Sequence, residues 1–355
     1  MQLLSGVGSQ TPSAEENVAM SAWRRAAATA VAVMMLFAGC APSAPAHQTS
    51  PPPRIVDSIA YAPAQPPGTA GHLLDLYLPG DISRPVPLII WSGGNGWQDD
   101  TGASTAGQLA QILTPHGYAV AGVDIRSSRE ATFPGQLFDV KAAIRFLRAN
   151  AKHYHLDPGR FGIAGDSSGA WAAVMAAVTG DVPSLEGNIG VTGPSSRVQA
   201  AAAFYPPTDF LSTDHYLPVP CPPPGTGSCA AADPLFSALL GCPIQSCPDR
   251  AAAADAINYV SANDPPLLLL HGQQDTLIPW QDSLLLFQAI QHAQGRAQLI
   301  LLPRGQHGQA MEFLSDTGVN SGANAQSTDR GHETAAHPIT LTAQYLVGFF
   351  DRYLH

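Results

Sequence analysis

Lysine is nearly missing from this chain: Lys141 and Lys152 are the only two among 355 residues, and all charged residues together make up 12%. Asp and Glu outnumber Lys and Arg by 27 to 17, giving a formal charge of −10 and a pI near 5.5. Nucleic-acid binding selects for clustered Lys and Arg, so that class of function is set aside. Long apolar runs are lacking too: the stretch from Ala26 to Phe37 falls short of the roughly 20 residues a membrane-spanning helix needs. No internal repeat is visible, and cysteine is scarce, with four of the five crowded into one Pro-rich stretch. What remains is 45% apolar, a composition too hydrophobic for disorder and long enough for a sizeable core, expected as one large domain.

Residues 1–39 have the pattern of an export signal, with Arg24-Arg25 ahead of the apolar run and small residues after it. Leu36-Phe37-Ala38-Gly39-Cys40 resembles a bacterial lipobox in which Cys40 is lipidated after cleavage, giving a membrane-anchored envelope protein; Phe37 departs from the usual Leu, and plain secretion is the alternative. Of a twin-arginine signal only the arginine pair matches. Residues 1–19 hold two glutamates and no basic residue, so translation starting at Met20 fits the signal better. Residues 40–54 read as a Pro, Ala and Ser-rich linker, and the domain is expected over 55–355.

Cys221, Cys229, Cys242 and Cys247 lie in an excursion over about 206–250. In an exported protein they suggest two disulfides pinning an irregular segment, and of three possible pairings the nearest-neighbour one, Cys221 with Cys229 and Cys242 with Cys247, is expected. A zinc site is the rival, but the spacings are wider than zinc-ribbon pairs and no histidine lies between them.

Along the rest of the chain, short apolar runs alternate with helical patterns, the signature of an α/β fold with a mainly parallel sheet covered by helices. Strands are expected at Leu73 to Leu78, Pro87 to Trp91, Tyr118 to Ile125, Arg160 to Ala164, Val198 to Tyr205, Pro266 to Leu270 and Gln298 to Leu302. Helices fit Ser104 to His116, Gln136 to His153, Ala170 to Val178, Gln281 to Ala293 and Thr340 to Tyr353. In the second of these, Val140, Ala143, Ile144 and Leu147 form one stripe, with Lys141, Arg145 and Arg148 outside it.

Between the fourth strand and the third helix stands Gly165-Asp166-Ser167-Ser168-Gly169, a G-x-S-x-G nucleophile elbow in its strand, turn, helix context. A serine hydroxyl needs a base, and the base needs an acid to orient it. Asp275 follows the strand ending at Leu270, and His307 sits in the turn Arg304 to Gly308 after the next strand. Serine, acid and histidine in that order, each past a strand end, is far more specific than any one of them. Asp275 could instead cap the following helix, and His307 could be a solvated turn residue. His271 is expected to orient the acid loop, while His292, His332 and His337 read as surface. Donors for a developing oxyanion are expected from the Ser168 N–H and from the Gly-rich run Ser92 to Trp97, with Gly93 and Gly94 the candidates; the rival is a plain β-to-α turn.

These segments, with Leu74 to Pro79, Phe133-Pro134, Asp139 to Arg148 and Pro207 to Phe210, resemble α/β-hydrolase esterases of the hormone-sensitive-lipase-like and feruloyl/acetyl-xylan esterase group over about 55–355. The resemblance implies a mostly parallel eight-stranded sheet with a lid-like Cys/Pro-rich insertion, the triad Ser167, Asp275 and His307, no metal or organic cofactor, and hydrolysis of short-to-medium acyl esters through an acyl-enzyme. The chain departs from the family at Ser92, where a His-Gly-Gly-Gly-Trp motif has histidine, and at an extra Asn95, leaving open which loop amide serves the oxyanion. Implied partners are a small-molecule, lipid or glycan ester, and a membrane surface through Cys40; oligomeric state is open. Two rivals are a serine exopeptidase on the same fold and a non-catalytic envelope-binding scaffold.

Overall fold

The computed structural model describes residues 52–211, Tyr216 and 234–355. Cys40, Cys221 and Cys229 lie outside the described residues, as does the signal segment. The strands are β1 (Arg54–Ala60), β2 (Leu73–Leu78), β3 (Val86–Ser92), β4 (Ala119–Val123), β5 (Leu156–Asp166), β6 (Ala200–Phe204), β7 (Leu267–Gly272), β8 (Arg296–Leu302), β9 (Asn324–Asp329) and β10 (His332–Pro338). They form one sheet in the order β1-β2-β4-β3-β5-β6-β7-β8-β9-β10. The block from β4 to β8 is parallel, and antiparallel pairs flank it on both sides.

The sheet is therefore mixed and ten-stranded, where eight strands were expected. The two unforeseen pieces are β1 and the hairpin β9–β10. Neither has an apolar run: every residue of β10 is exposed, and β1 alternates irregularly between exposed and half-buried. Edge strands with little to bury leave no hydrophobic period to detect. His332 and His337 are exposed as expected, but in a strand.

The helices are α1 (Ala106–Leu113), α2 (Gly135–Ala149), α3 (Ser168–Val178), α4 (Pro234–Leu240), α5 (Pro248–Ala254), α6 (Trp280–His292), α7 (Glu312–Ser315), α8 (Thr317–Asn320) and α9 (Ala343–Leu354). Leu137, Val140 and Ile144 of α2, all of α3, and Leu286, Phe287 and Ile290 of α6 pack on one face of the sheet. Leu109 and Leu113 of α1 with Leu346, Val347 and Phe350 of α9 cover the other. Strands β3, β4, β6 and β7 are buried along their whole length, as a parallel sheet covered on both faces must be.

One helix differs from its sequence pattern. Lys141 and Arg145 were placed on the outer face of α2, yet both are buried, and Glu186 meets them at 2.8 and 3.3 Å. The segment after α3 folds over α2, and the ion pairs with backbone carbonyls of Thr179, Ile189 and Val191 satisfy the two buried cations. Helical periodicity cannot announce a loop that returns from 40 residues away.

Candidate active site

Parallel strands deliver their following loops to one sheet edge, so the loops after β3, β5, β6, β7 and β8 converge there. Ser167 follows β5 with φ 51° and ψ −124°, a left-handed conformation that a side-chain-bearing residue adopts only when its surroundings enforce it. Here they do: a Cβ on Gly169 would collide with the carbonyl of Ser92, and one on Gly165 with that of Gly169. The two glycines let the turn press against β3, and the strained serine is held above the sheet at the start of α3.

His307 comes from the turn after β8, and its Nε2 lies 2.9 Å from Ser167 Oγ. Its Nδ1 lies 2.8 Å from Asp275 Oδ2. With the Nδ1 proton donated to the carboxylate, Nε2 is left as acceptor for the serine hydroxyl. The ring packs on Tyr205, centroids 4.6 Å apart. The structure thus brings all three expected residues together.

Asp275 does not cap α6, which begins five residues later. Its Oδ1 accepts the backbone N–H groups of Leu277 and Ile278, each at 2.9 Å, which frees Oδ2 for His307. Burial pushes its pKa up, but hydrogen bonds from His271 and His307 outweigh that and hold it well below the usual carboxylate range. His271, fully buried, has Nδ1 2.7 Å from Ser283 Oγ and Nε2 3.0 Å from the Ile278 carbonyl, so it ties β7, the acid loop and α6 together, the orienting part expected of it. His292 is exposed on α6.

The oxyanion loop differs from expectation. Gly93 is wedged against Gly102 and Thr105 and is not among the residues lining the cavity around Ser167, and the Gly94 N–H is already donated to Asp166 Oδ1 at 2.7 Å. The next two amides, Asn95 and Gly96, both donate to Ser168 Oγ at 3.0 Å. The extra residue, Asn95, also organises the loop through its side chain, donating to Asp99 and accepting the Trp97 N–H at 3.0 Å. Ser92 is fully buried with its hydroxyl unpaired. The Ser168 N–H, at the first position of α3, belongs to the helical amides with no intrahelical acceptor.

Asp166 was not anticipated, although it lies inside the elbow motif itself. It accepts from Gly94 and, at 3.2 Å, from Tyr205 Oη, and burial raises its pKa above the ordinary carboxylate value. Tyr205 in turn accepts the Ala310 N–H, linking the elbow to the segment after His307.

A cavity of about 290 Å³ opens over Ser167. Trp97, Leu235, Phe236, Leu277 and Ile278 supply its apolar lining, and His307 and residues 94–96 also line it. Leu235 and Phe236 come from α4, inside the Cys-rich excursion. Phe236 packs on Trp97 and Phe210, with centroids 5.6 and 4.7 Å apart. A disulfide joins Cys242 to Cys247 just beyond α4, and Gly241 abuts Thr132. Among the described residues no cluster of His, Cys, Asp or Glu is arranged to hold a metal ion.

The BD-FAE family model matches residues 74–290, a span that includes Ser167 and Asp275 and ends before His307. Among curated proteins, esterase LipQ of Mycobacterium tuberculosis is 28% identical over 217 residues, covering 60% of this chain and 48% of its own length. Esterase LipC of the same organism is 25% identical over 268 residues, covering 75% and 64%. The chain spans about half the length of the first curated relatives it matches. A truncated carbohydrate esterase from gut microbiota superposes with a TM-score of 0.65 at 29% identity, covering 73% of this chain and 92% of the other. A bifunctional GH43-CE protein of Bacteroides eggerthii gives 0.67 at 30%, covering 84% and 38%. With the family model spanning more than half of the sequence and the fold shared with a carbohydrate esterase, the chain belongs to the BD-FAE family of α/β-hydrolase serine esterases.

Proposed function

We propose that this protein is a carboxylesterase that hydrolyses short-to-medium acyl esters with Ser167 as nucleophile, His307 as base and then acid, and Asp275 as the group that orients and charge-stabilises the imidazole. The observation that carries this reading is the unbroken chain from Ser167 Oγ to His307 Nε2 at 2.9 Å and from Nδ1 to Asp275 Oδ2 at 2.8 Å, at the floor of a cavity. As Oγ attacks the ester carbonyl, Nε2 takes its proton. The tetrahedral intermediate collapses when that proton passes to the leaving alcohol oxygen, and water repeats the cycle on the acyl-enzyme. Asp275, held ionised by its two backbone donors and two histidines, stays a carboxylate throughout.

The acyl group enters the pocket between Trp97, Leu235 and Phe236. At about 290 Å³ that pocket lies at the small end of ligand sites, which favours a short chain over a fatty acyl tail. The carbohydrate esterase among the structural neighbours supports acylated glycans as a class to test. Export, with tethering through a lipidated Cys40, belongs to the same reading; mass spectrometry of the mature N-terminus checks it.

The deciding experiment is hydrolysis of p-nitrophenyl esters from acetyl to palmitoyl, with an acetylated polysaccharide in parallel, by the wild type and Ser167→Ala. Activity that peaks at short acyl chains and disappears in the variant supports the reading. A wild type inactive on every ester overturns it in favour of a peptidase or a binding scaffold.

A further inference from the structure

The three loop amides that could meet an oxyanion are all engaged: Gly94 with Asp166 Oδ1, and Asn95 and Gly96 with Ser168 Oγ. A serine hydroxyl has two acceptor lone pairs and one proton to give. In Ser168 both lone pairs are filled by backbone N–H groups, so its O–H bond takes the remaining direction. No oxygen among the described residues accepts that proton, although Ser168 is only 2% exposed, and the residue lines the cavity beside Ser167.

From this arrangement we infer that the Ser168 side-chain hydroxyl is itself a catalytic oxyanion donor, acting beside its own backbone N–H. The inference rests on the ester-hydrolysis reading. Two amides donating to one hydroxyl oxygen draw electron density from it and polarise its O–H, making it a better donor than an isolated serine. The loop amides thus act on the carbonyl oxygen through Ser168. The arrangement also accounts for the chain's departure from the family's loop motif: the inserted Asn95, anchored to Asp99 and to the Trp97 N–H, turns the amides of residues 95 and 96 toward α3. As the tetrahedral intermediate forms, the negative charge on the former carbonyl oxygen accepts this proton in a charge-assisted bond, roughly twice as strong as a neutral one. The donor gains most in the transition state, so it should act on kcat.

The test compares wild type, Ser168→Ala and Ser168→Thr on p-nitrophenyl butyrate, and measures inhibition by a trifluoromethyl ketone, which adds to the nucleophile and carries an oxyanion. Removing one such donor typically costs on the order of 100- to 1,000-fold in kcat. The expected result is a loss of that order in Ser168→Ala with KM within about threefold, a parallel rise in the inhibition constant of the ketone, and recovery of most of kcat in Ser168→Thr, which keeps the hydroxyl. Thermal melts of the three proteins show whether a loss reflects folding. Wild-type kcat in Ser168→Ala overturns the inference, because the freed amides then serve the oxyanion directly. So does a rate loss with unchanged ketone affinity, which marks a purely structural part for Ser168. Failure of the function itself looks different: the wild type is then inactive, and the ketone has no serine-dependent inhibition to show.

Discussion

Two neighbouring stretches of backbone at the catalytic edge are held by different physics. Around Ser167 the restraint is steric: Gly165 and Gly169 bring the turn against the Ser92 carbonyl, and no side-chain hydrogen bond caps the helix that follows. The loops on either side, 94–97 and 207–210, are held by polar side chains that accept backbone N–H groups. Asp166 takes Gly94, Asn95 takes Trp97, Asp282 takes Thr208 at 3.0 Å and Asp255 takes Phe210 at 2.9 Å. A contact restraint of this kind tolerates no added atom and is indifferent to pH. A carboxylate restraint tolerates small displacements but titrates.

The largest effect is expected from Gly169→Ala. The added methyl collides with backbone of Ser92 and Gly93, which no rotamer change can relieve, so esterase activity should fall at least about 1,000-fold with a lower melting temperature, as for strain at a special backbone position. Kinetics and a thermal melt read this; near-normal activity would show that the elbow is not sterically locked. Gly94→Ala comes next. Its methyl would stand 2.5 Å from the Asp166 carbonyl and 2.7 Å from Ser167 Cβ, so loop and elbow must shift apart, and a loss on the order of 100-fold in kcat is expected from the misplaced nucleophile.

Asn95→Ala removes hydrogen bonds to Asp99 and Trp97 while leaving the Asp166 and Ser168 anchors in place. At about 1 kcal/mol net stability for a hydrogen bond, the variant should melt at a lower temperature, and roughly a tenfold drop in kcat is expected as the loop loosens. A loss as deep as that of Gly94→Ala would mean that the loop depends on this one side chain.

The mildest effect on rate, and the clearest separation of the two restraints, comes from pH. Burial pushes the Asp255 carboxyl up to about 8, with the nearby Asp209 charge adding and the Phe210 N–H opposing. The native state therefore binds more protons than the unfolded chain between about pH 4 and pH 8, and by linkage stability falls as pH rises through that window, by up to about 1.4 kcal/mol per pH unit. Asp255→Asn, which keeps an acceptor for Phe210 but does not titrate, should flatten the slope and be the more stable protein at pH 8. Denaturant melts from pH 5 to 9 check this, and an unchanged slope would place the titration elsewhere.

Much of the site could be read from the sequence because its chemistry-bearing residues sit at fixed offsets from strands with strong apolar signatures. Ser167 lies inside its own motif, and Asp275 and His307 follow runs such as Leu267 to Leu270 and Leu299 to Leu302. The supporting residues could not be read. Asp166 and Gly94 are 72 positions apart, and the amides of Asn95 and Gly96 reach Ser168 across a similar distance. Hydrophobic periodicity likewise missed β1, β9 and β10, which bury too little to need it, and misplaced Lys141 and Arg145, whose partner Glu186 arrives on a returning loop. Of the two expected cysteine pairs, the structure joins Cys242 to Cys247, while Cys221 and Cys229 lie outside the described residues.

The sequence alone determined the strands β2 to β8, the five longest helices, the position of the elbow and the residues able to form a triad, since each follows from local sterics or from a repeat the chain carries within a few residues. Tertiary structure alone decided which amides face the nucleophile, how α4 closes the cavity and where buried charges find partners. Those contacts join segments tens of residues apart, and a hydrogen bond or a packed ring depends on position in space to within an ångström, which no local pattern encodes.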